Sequence, residues 1–197
     1  MNDPFKFFHS ILEIHISSKS IQQLQILWNE KTRFCHSISH LNQIFYDIEH
    51  NIWFNELSLV EKHTLVLGAF FHDAIFDSKK TDNEDRSIDF FKRSYIRKDS
   101  IMVQKVISLI EATKHRKRPI EKLQKIFWDA DNAKFKKGYH TLLNNEKLIR
   151  KEYAHLSPNA YQKKRVKFLE SNIGLFNDVT DNNIKKLIKY IKKTYKS

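Results

Sequence analysis

The sequence is poor in the residues that break or bend a chain: its 197 residues include only 3 Gly and 3 Pro. All-β folds spend both on turns, and doubly wound α/β folds spend Gly on loops. The scarcity therefore excludes a turn-rich architecture and points to an all-α fold with short polar connections. A single cysteine, Cys35, excludes an internal disulfide framework and any cysteine-based zinc site, as expected of a reducing compartment. No uninterrupted apolar run approaches the ~20 residues of a membrane span, so no membrane partner is expected. The opening MNDPFKFFHS has no basic start, apolar run or small-residue cleavage site. No secretory signal is expected, and the chain reads as cytoplasmic.

What is present is apolar bulk and positive charge. Apolar residues make up 41% and aromatics 13%, which excludes disorder as the default. A chain of this size buries roughly 70% of its unfolded surface without staples. With no repeat, linker or low-complexity tract, it reads as one domain over 1–197 with its core over about 20–190. The net charge is +12 and unevenly spread. Residues 1–100 hold 12 Lys/Arg against 14 Asp/Glu, a net −2, whereas residues 101–197 hold 23 against 9, a net +14. A basic half fits an anionic partner such as nucleic acid, a nucleotide or a phosphorylated metabolite, although a lysine face also serves simply to stay solvated.

The helix signals are regular. Ser18 and Ser20 are plausible caps for a helix through Ile21 to Trp28. Ile38, Leu41, Ile44, Phe45 and Ile48 repeat at helical spacing within Phe34 to Phe54. Ser58 and Glu61 form a capping box ahead of Leu65, Val66, Ala69 and Phe70. Residues 78–85 read as a loop, and 87–95 and 100–113 as helices. Pro119 suits the first turn of a short helix ending near Phe127. A long helical stretch follows over 129–153, interrupted by Gly138, then a helix from Pro158. A last helix sets Ile184, Leu187, Ile188 and Ile191 against a lysine-rich face.

Several polar residues stand where chemistry would need them. His36 and His40, spaced i, i+4, are expected on one helix face. His72 and Asp73 follow the apolar run LVLGAFF, and Asp129 and Asp131 follow IFW. Burying an aspartate beside such runs is costly unless it is paired or bound to a cation. Two imidazoles and two carboxylates from three helices would make an N2O2 site for a divalent metal, with room for water and substrate. Each piece also has an ordinary use. A His pair can be a satisfied core pair, and an acidic pair can cap a helix and favour its dipole.

The order H…HD…D on an all-α chain resembles the HD superfamily of metal-dependent phosphohydrolases. More narrowly, the chain resembles a bacterial family of predicted HD phosphohydrolases. The pieces that carry the likeness are RFCHSISH (33–40), FFHDAIFD (70–77), DNEDRS (82–87), EATKH (111–115), FWDADNAKF (127–135) and IRKEY (149–153), spread over roughly 20–190. The resemblance implies His40, His72, Asp73 and Asp131 as metal ligands, with Asp129 the runner-up to Asp131 and His36 beside the substrate. It also implies a divalent ion (Mn, Fe, Co, Ni, Zn or Mg) and a phosphoester or nucleotide-type substrate. The chain departs from the family pattern at Cys35, where a tyrosine is usual, and at Asn132 and Lys134, where apolar residues are.

A metal in such a site lowers the pKa of a bound water and polarises a phosphoryl oxygen. The peripheral phosphate oxygens then need donors. Arg33, Lys114, His115, Arg116 and Arg150 are the cationic candidates, with His36 and Asn83 also on the substrate side. Glu84 is the candidate general base, Asp77 a further acidic candidate, and His115 an alternative ligand for a second ion. Three other readings remain open: a basic nucleic-acid-binding protein with a vestigial metal site, a two-iron oxygen-activating relative, and a helical interaction module.

Overall fold

The computed structural model describes residues 3–114 and 117–195, and among these the fold is all-α. In chain order the helices are α1 (Pro4–Phe7), α2 (His9–His15), α3 (Ser18–Trp28), α4 (Ile38–Glu49), α5 (Leu59–Phe71), α6 (Asn83–Ser94), α7 (Ser100–Ala112), α8 (Lys122–Asp131), α9 (Ala133–Lys136), α10 (Tyr139–Glu152), α11 (Pro158–Ser171) and α12 (Asp178–Thr194). The sequence reads as one domain, but the helices gather into two compact units, α1–α8 and α9–α12, each with its own hydrophobic core.

In the first unit α5 is the central element, packed against α4, α6, α7 and α8. Its start is the expected capping box: Ser58 Oγ accepts the Glu61 N–H at 3.3 Å, and Glu61 Oε2 accepts the Ser58 N–H at 2.8 Å. From Thr64 to Phe71 every residue is buried, including Gly68. A Cβ on Gly68 would lie 2.8 Å from Leu109 Cδ1, so the glycine is what lets α5 and α7 approach. The second unit is built on α12, whose Ile184, Leu187, Ile188 and Ile191 pack with Leu142, Val166 and Leu169 of α10 and α11.

Several boundaries differ from the sequence reading. α4 begins at Ile38, so His36 precedes the helix that carries His40 and does not share its face. α6 begins at Asn83, which puts Glu84 in a first turn rather than in the expected loop. α3 is capped by Ser17, and α8 runs to Asp131 instead of stopping near Phe127. Gly138 breaks the long stretch as expected, with φ 89° between α9 and α10. The caps that open α1 and α2 region, Asp3 with Pro4 in the first turn, follow ordinary rules but were not read from the sequence.

A pair of histidines ties α2 to α5. His15 Nε2 and His63 Nδ1 share a hydrogen bond of 3.0 Å, and the His15 ring stacks on Tyr95 at 5.9 Å. Burial lowers the pKa of both rings from 6.5. For His15, His63 and Arg97 lower it further while Asp99 opposes. The unfolded chain therefore binds more protons in acid. The pair's contribution is complete above about pH 6.5 and is lost as pH falls below it.

Two outcomes are expected in denaturant unfolding. Gly68→Val should cost about 2–3 kcal/mol through overpacking against Leu109. Between about pH 7.5 and about pH 5 the parent should lose more stability than a His15→Gln/His63→Gln double variant, which has nothing to protonate there. Equal losses would show that the pair does not set the acid limb.

Candidate metal centre

Four side chains meet at one point in the first unit. His40 comes from the first turn of α4, His72 caps the end of α5, Asp73 follows it, and Asp131 is the last residue of α8. His40 Nε2 lies 3.1 Å from Asp131 Oδ1 and 4.0 Å from Asp73 Oδ2. His72 Nε2 lies 3.0 Å from Asp73 Oδ2 and 3.7 Å from Asp131 Oδ1. Ligand bonds of roughly 2.0–2.2 Å place neighbouring donors about 3.0–3.5 Å apart, so these separations suit one shared cation. His40, His72 and Asp73 each present one donor atom within 4.8 Å of the others. Asp129 does not join them. Two residues along a helix are about 200° apart, and its Oδ1 instead accepts from Arg118 Nη2 at 3.4 Å.

The tautomer of His72 is set by its neighbours. Nδ1 lies 2.9 Å from the Ala69 carbonyl oxygen, which can only accept, so Nδ1 donates there and Nε2 is the nitrogen that faces the site; a cation bound there would displace the proton that Nε2 otherwise shares with Asp73. The ring is 1% exposed and stands against Trp28 and Phe127. Its Nε2 points at the two carboxylates and is ion-paired with that of Asp73.

The local charge agrees. Burial disfavours an ionised His72, but the carboxylates of Asp73 and Asp131 reverse the balance and hold its pKa up at about 9. Burial likewise opposes the Asp73 anion, and the facing His72, His36 and His40 still pull its pKa well below the usual range. Both carboxylates also sit at helix C-terminal ends, where the dipole is negative and a cation is favoured.

The supporting residues differ from expectation. Arg33, expected to bind phosphate, is buried and committed to backbone. Nη1 donates to Asp73 O at 2.6 Å and Nη2 to Ala74 O at 2.7 Å, with Nε to Glu30 at 3.1 Å. It clamps the turn that carries His72 and Asp73, and its guanidinium lies over the Trp28 and Phe76 rings. Trp28 braces the same turn by donating to Phe70 O at 2.9 Å. Asn83, also expected at the substrate, uses both ends of its amide on the Asp77 backbone, each at 3.0 Å. Ser87 accepts the Ile75 N–H at 3.0 Å. Asn83 and Ser87 thus stitch α6 to the chain after Asp73, and Glu84 lies between them.

Glu84 is half-buried, and its pKa is raised by burial and further by the charge of Asp73. Lys114 pairs with Asp85 at 2.6 Å and lowers the Glu84 pKa from nearby. His36 stacks on Phe76 at 4.2 Å, with its ring 6.3 Å from that of His40. The Asp77 carboxylate accepts the Lys79 N–H at 2.9 Å and closes its own turn. Arg150 belongs to the second unit, where it donates to Tyr153 O at 2.7 Å and Leu156 O at 3.1 Å and caps the end of α10. His115 and Arg116 lie outside the described residues. Comparison with protein-family models, with curated proteins and with solved structures gives no match.

Arg33→Lys retains the charge but cannot reach both carbonyls with a planar fork. It should weaken retention of a bound divalent metal by about 10–100-fold, read as metal content after dialysis. Full retention would show that the clamp does not orient the ligands.

Proposed function

We propose that this protein is a metal-dependent phosphohydrolase of the HD type, acting on a phosphoester or nucleotide-type substrate. The observation that carries the reading is the convergence of His40 Nε2, His72 Nε2, Asp73 Oδ2 and Asp131 Oδ1 on one point, with His72 Nε2 3.0 Å and 3.7 Å from the two carboxylates. His40, His72, Asp73 and Asp131 would hold the ion. Two imidazole nitrogens favour Mn, Fe, Co, Ni or Zn over Mg, which prefers oxygen. When bound, such an ion supplies Lewis-acid activation of water and offsets charge on a phosphoryl oxygen.

The remaining tasks fall to the chain. Glu84, with its raised pKa, holds or takes a proton at its carboxylate beside Asp73. His36, fixed by stacking on Phe76, offers a ring N–H to a phosphate oxygen. Lys114 brings positive charge to the same side, held by Asp85. Arg33 is left out of the phosphate set because it is buried and holds the carbonyls of Asp73 and Ala74.

The experiment is elemental analysis of the purified protein, followed by hydrolysis of generic phosphomonoesters, phosphodiesters and a nucleotide panel with each divalent metal. Asp73→Ala should lose bound metal and lower turnover by more than ~100-fold. A variant as active as the parent would overturn the proposal. Bound metal without hydrolysis of any phosphoester would reduce the site to a structural one.

A further inference from the structure

The second unit carries its charge on the outside. Residues 132–197 hold 16 Lys/Arg against 5 Asp/Glu, a net +11. Its buried charges are matched: Glu146, 0% exposed, accepts from Arg165 Nε at 2.8 Å and from Tyr161 Oη at 2.6 Å. The excess therefore lies on exposed lysines, and it is most ordered on α12. Lys185, Lys186, Lys189, Lys192 and Lys193 are all exposed. At 100° per residue they occupy an arc of about 120°, and from Lys185 to Lys193 they span about 12 Å. Of these, Lys192 lies 3.4 Å from Glu170, an exposed pair that solvent screens. Lys163, Lys164 and Lys167 of neighbouring α11 are exposed as well.

We infer that the lysine stripe of α12 is a binding surface for the phosphate backbone of double-stranded DNA. Charge complementarity chooses a polyanion, and three observations choose this one. The apolar side of α12 is sealed into the core of its unit through Ile184, Leu187, Ile188 and Ile191, so the helix has no apolar face to insert into a lipid headgroup layer. Tyr190, between Lys189 and Lys192 in sequence, lies outside their arc and packs on the core of the unit, so the stripe lacks the stacking platform by which single strands are held. Duplex DNA offers a phosphate charge every ~1.7 Å, the density that rewards closely spaced lysines. Without residues that read base edges, the binding is independent of sequence.

Fluorescence anisotropy of the full chain with a labelled duplex of about 20 bp, over a series of salt concentrations, tests this. Five lysines on phosphates should give a slope of log affinity against log salt of about −4.5. Lys185→Gln/Lys189→Gln/Lys192→Gln should make that slope shallower by about 2.7. The same three positions changed to Arg should keep it, which separates lost charge from lost fold. Lys79→Gln/Lys80→Gln/Lys92→Gln, on exposed lysines of the first unit, should leave it unchanged. Equal weakening by both Gln triples, equal affinity for a single strand, or equally strong binding to vesicles containing anionic lipid would overturn the assignment.

Discussion

Two half-buried carboxylates stand at the negative ends of two helices, and the first unit is arranged around that cost. Asp73 follows the end of α5 and Asp131 ends α8, so each anion meets a helix terminus that repels it. Neither could remain ionised inside a core without positive partners. His40 and His72 supply the nearest ones, at 3.1 Å and 3.0 Å, and the arrangement gives the two rings and two carboxylates a common focus. An interior optimised for stability alone would place apolar residues there. The retention of four polar groups at one point is therefore the strongest mark of use in the molecule.

Holding that focus requires a stiff turn after α5, and most of the polar side chains around it serve the backbone rather than a ligand. Arg33 neutralises the carbonyls of Asp73 and Ala74, Trp28 takes that of Phe70, and Asn83 and Ser87 fix the strand of chain that follows. A guanidinium at the C-terminal end of α5 also offsets the dipole that the carboxylates aggravate. Buried arginine is expensive unless its N–H groups are satisfied. Here the carbonyls that a helix end leaves open are the acceptors, so one interaction meets both needs. Positioning and substrate binding draw on the same residue types, which is why composition alone cannot separate them.

The sequence made the helices legible where local chemistry decides them. The Ser58–Glu61 box, Pro158 in the first turn of α11 and the positive-φ Gly138 all stand where pattern puts them. It failed where tertiary contacts decide. Spacing suggested a common face for His36 and His40, yet the chain enters α4 only at Ile38. His36 nevertheless reaches the neighbourhood of Asp73 from outside that helix. The choice of Asp131 over Asp129 came from resemblance, and its physical basis appears only when α8 is seen to continue through both, turning Asp129 away to Arg118. Arg33, Asn83 and Arg150 were singled out as donors, and they donate to backbone carbonyls, while the Asn83 amide oxygen accepts a backbone N–H. Backbone groups are the same at every position, so no sequence motif announces them.

The second unit treats charge in the opposite way. Its one deeply buried carboxylate, Glu146, is closed off by Arg165 and Tyr161, and burial together with Glu146 pushes the Tyr161 hydroxyl far above its usual pKa. That phenol stays protonated and donating at any physiological pH. Arg150, over the rings of Tyr161 and Tyr195, likewise spends its charge internally. The exposed lysines of the unit, most closely spaced on α12, then face water in excess. Like charges at this density repel one another and cost some stability. Five of them within one arc of α12, above a core whose Glu146 is already paired, form a denser cluster than solubility alone needs and one that an external anion would offset.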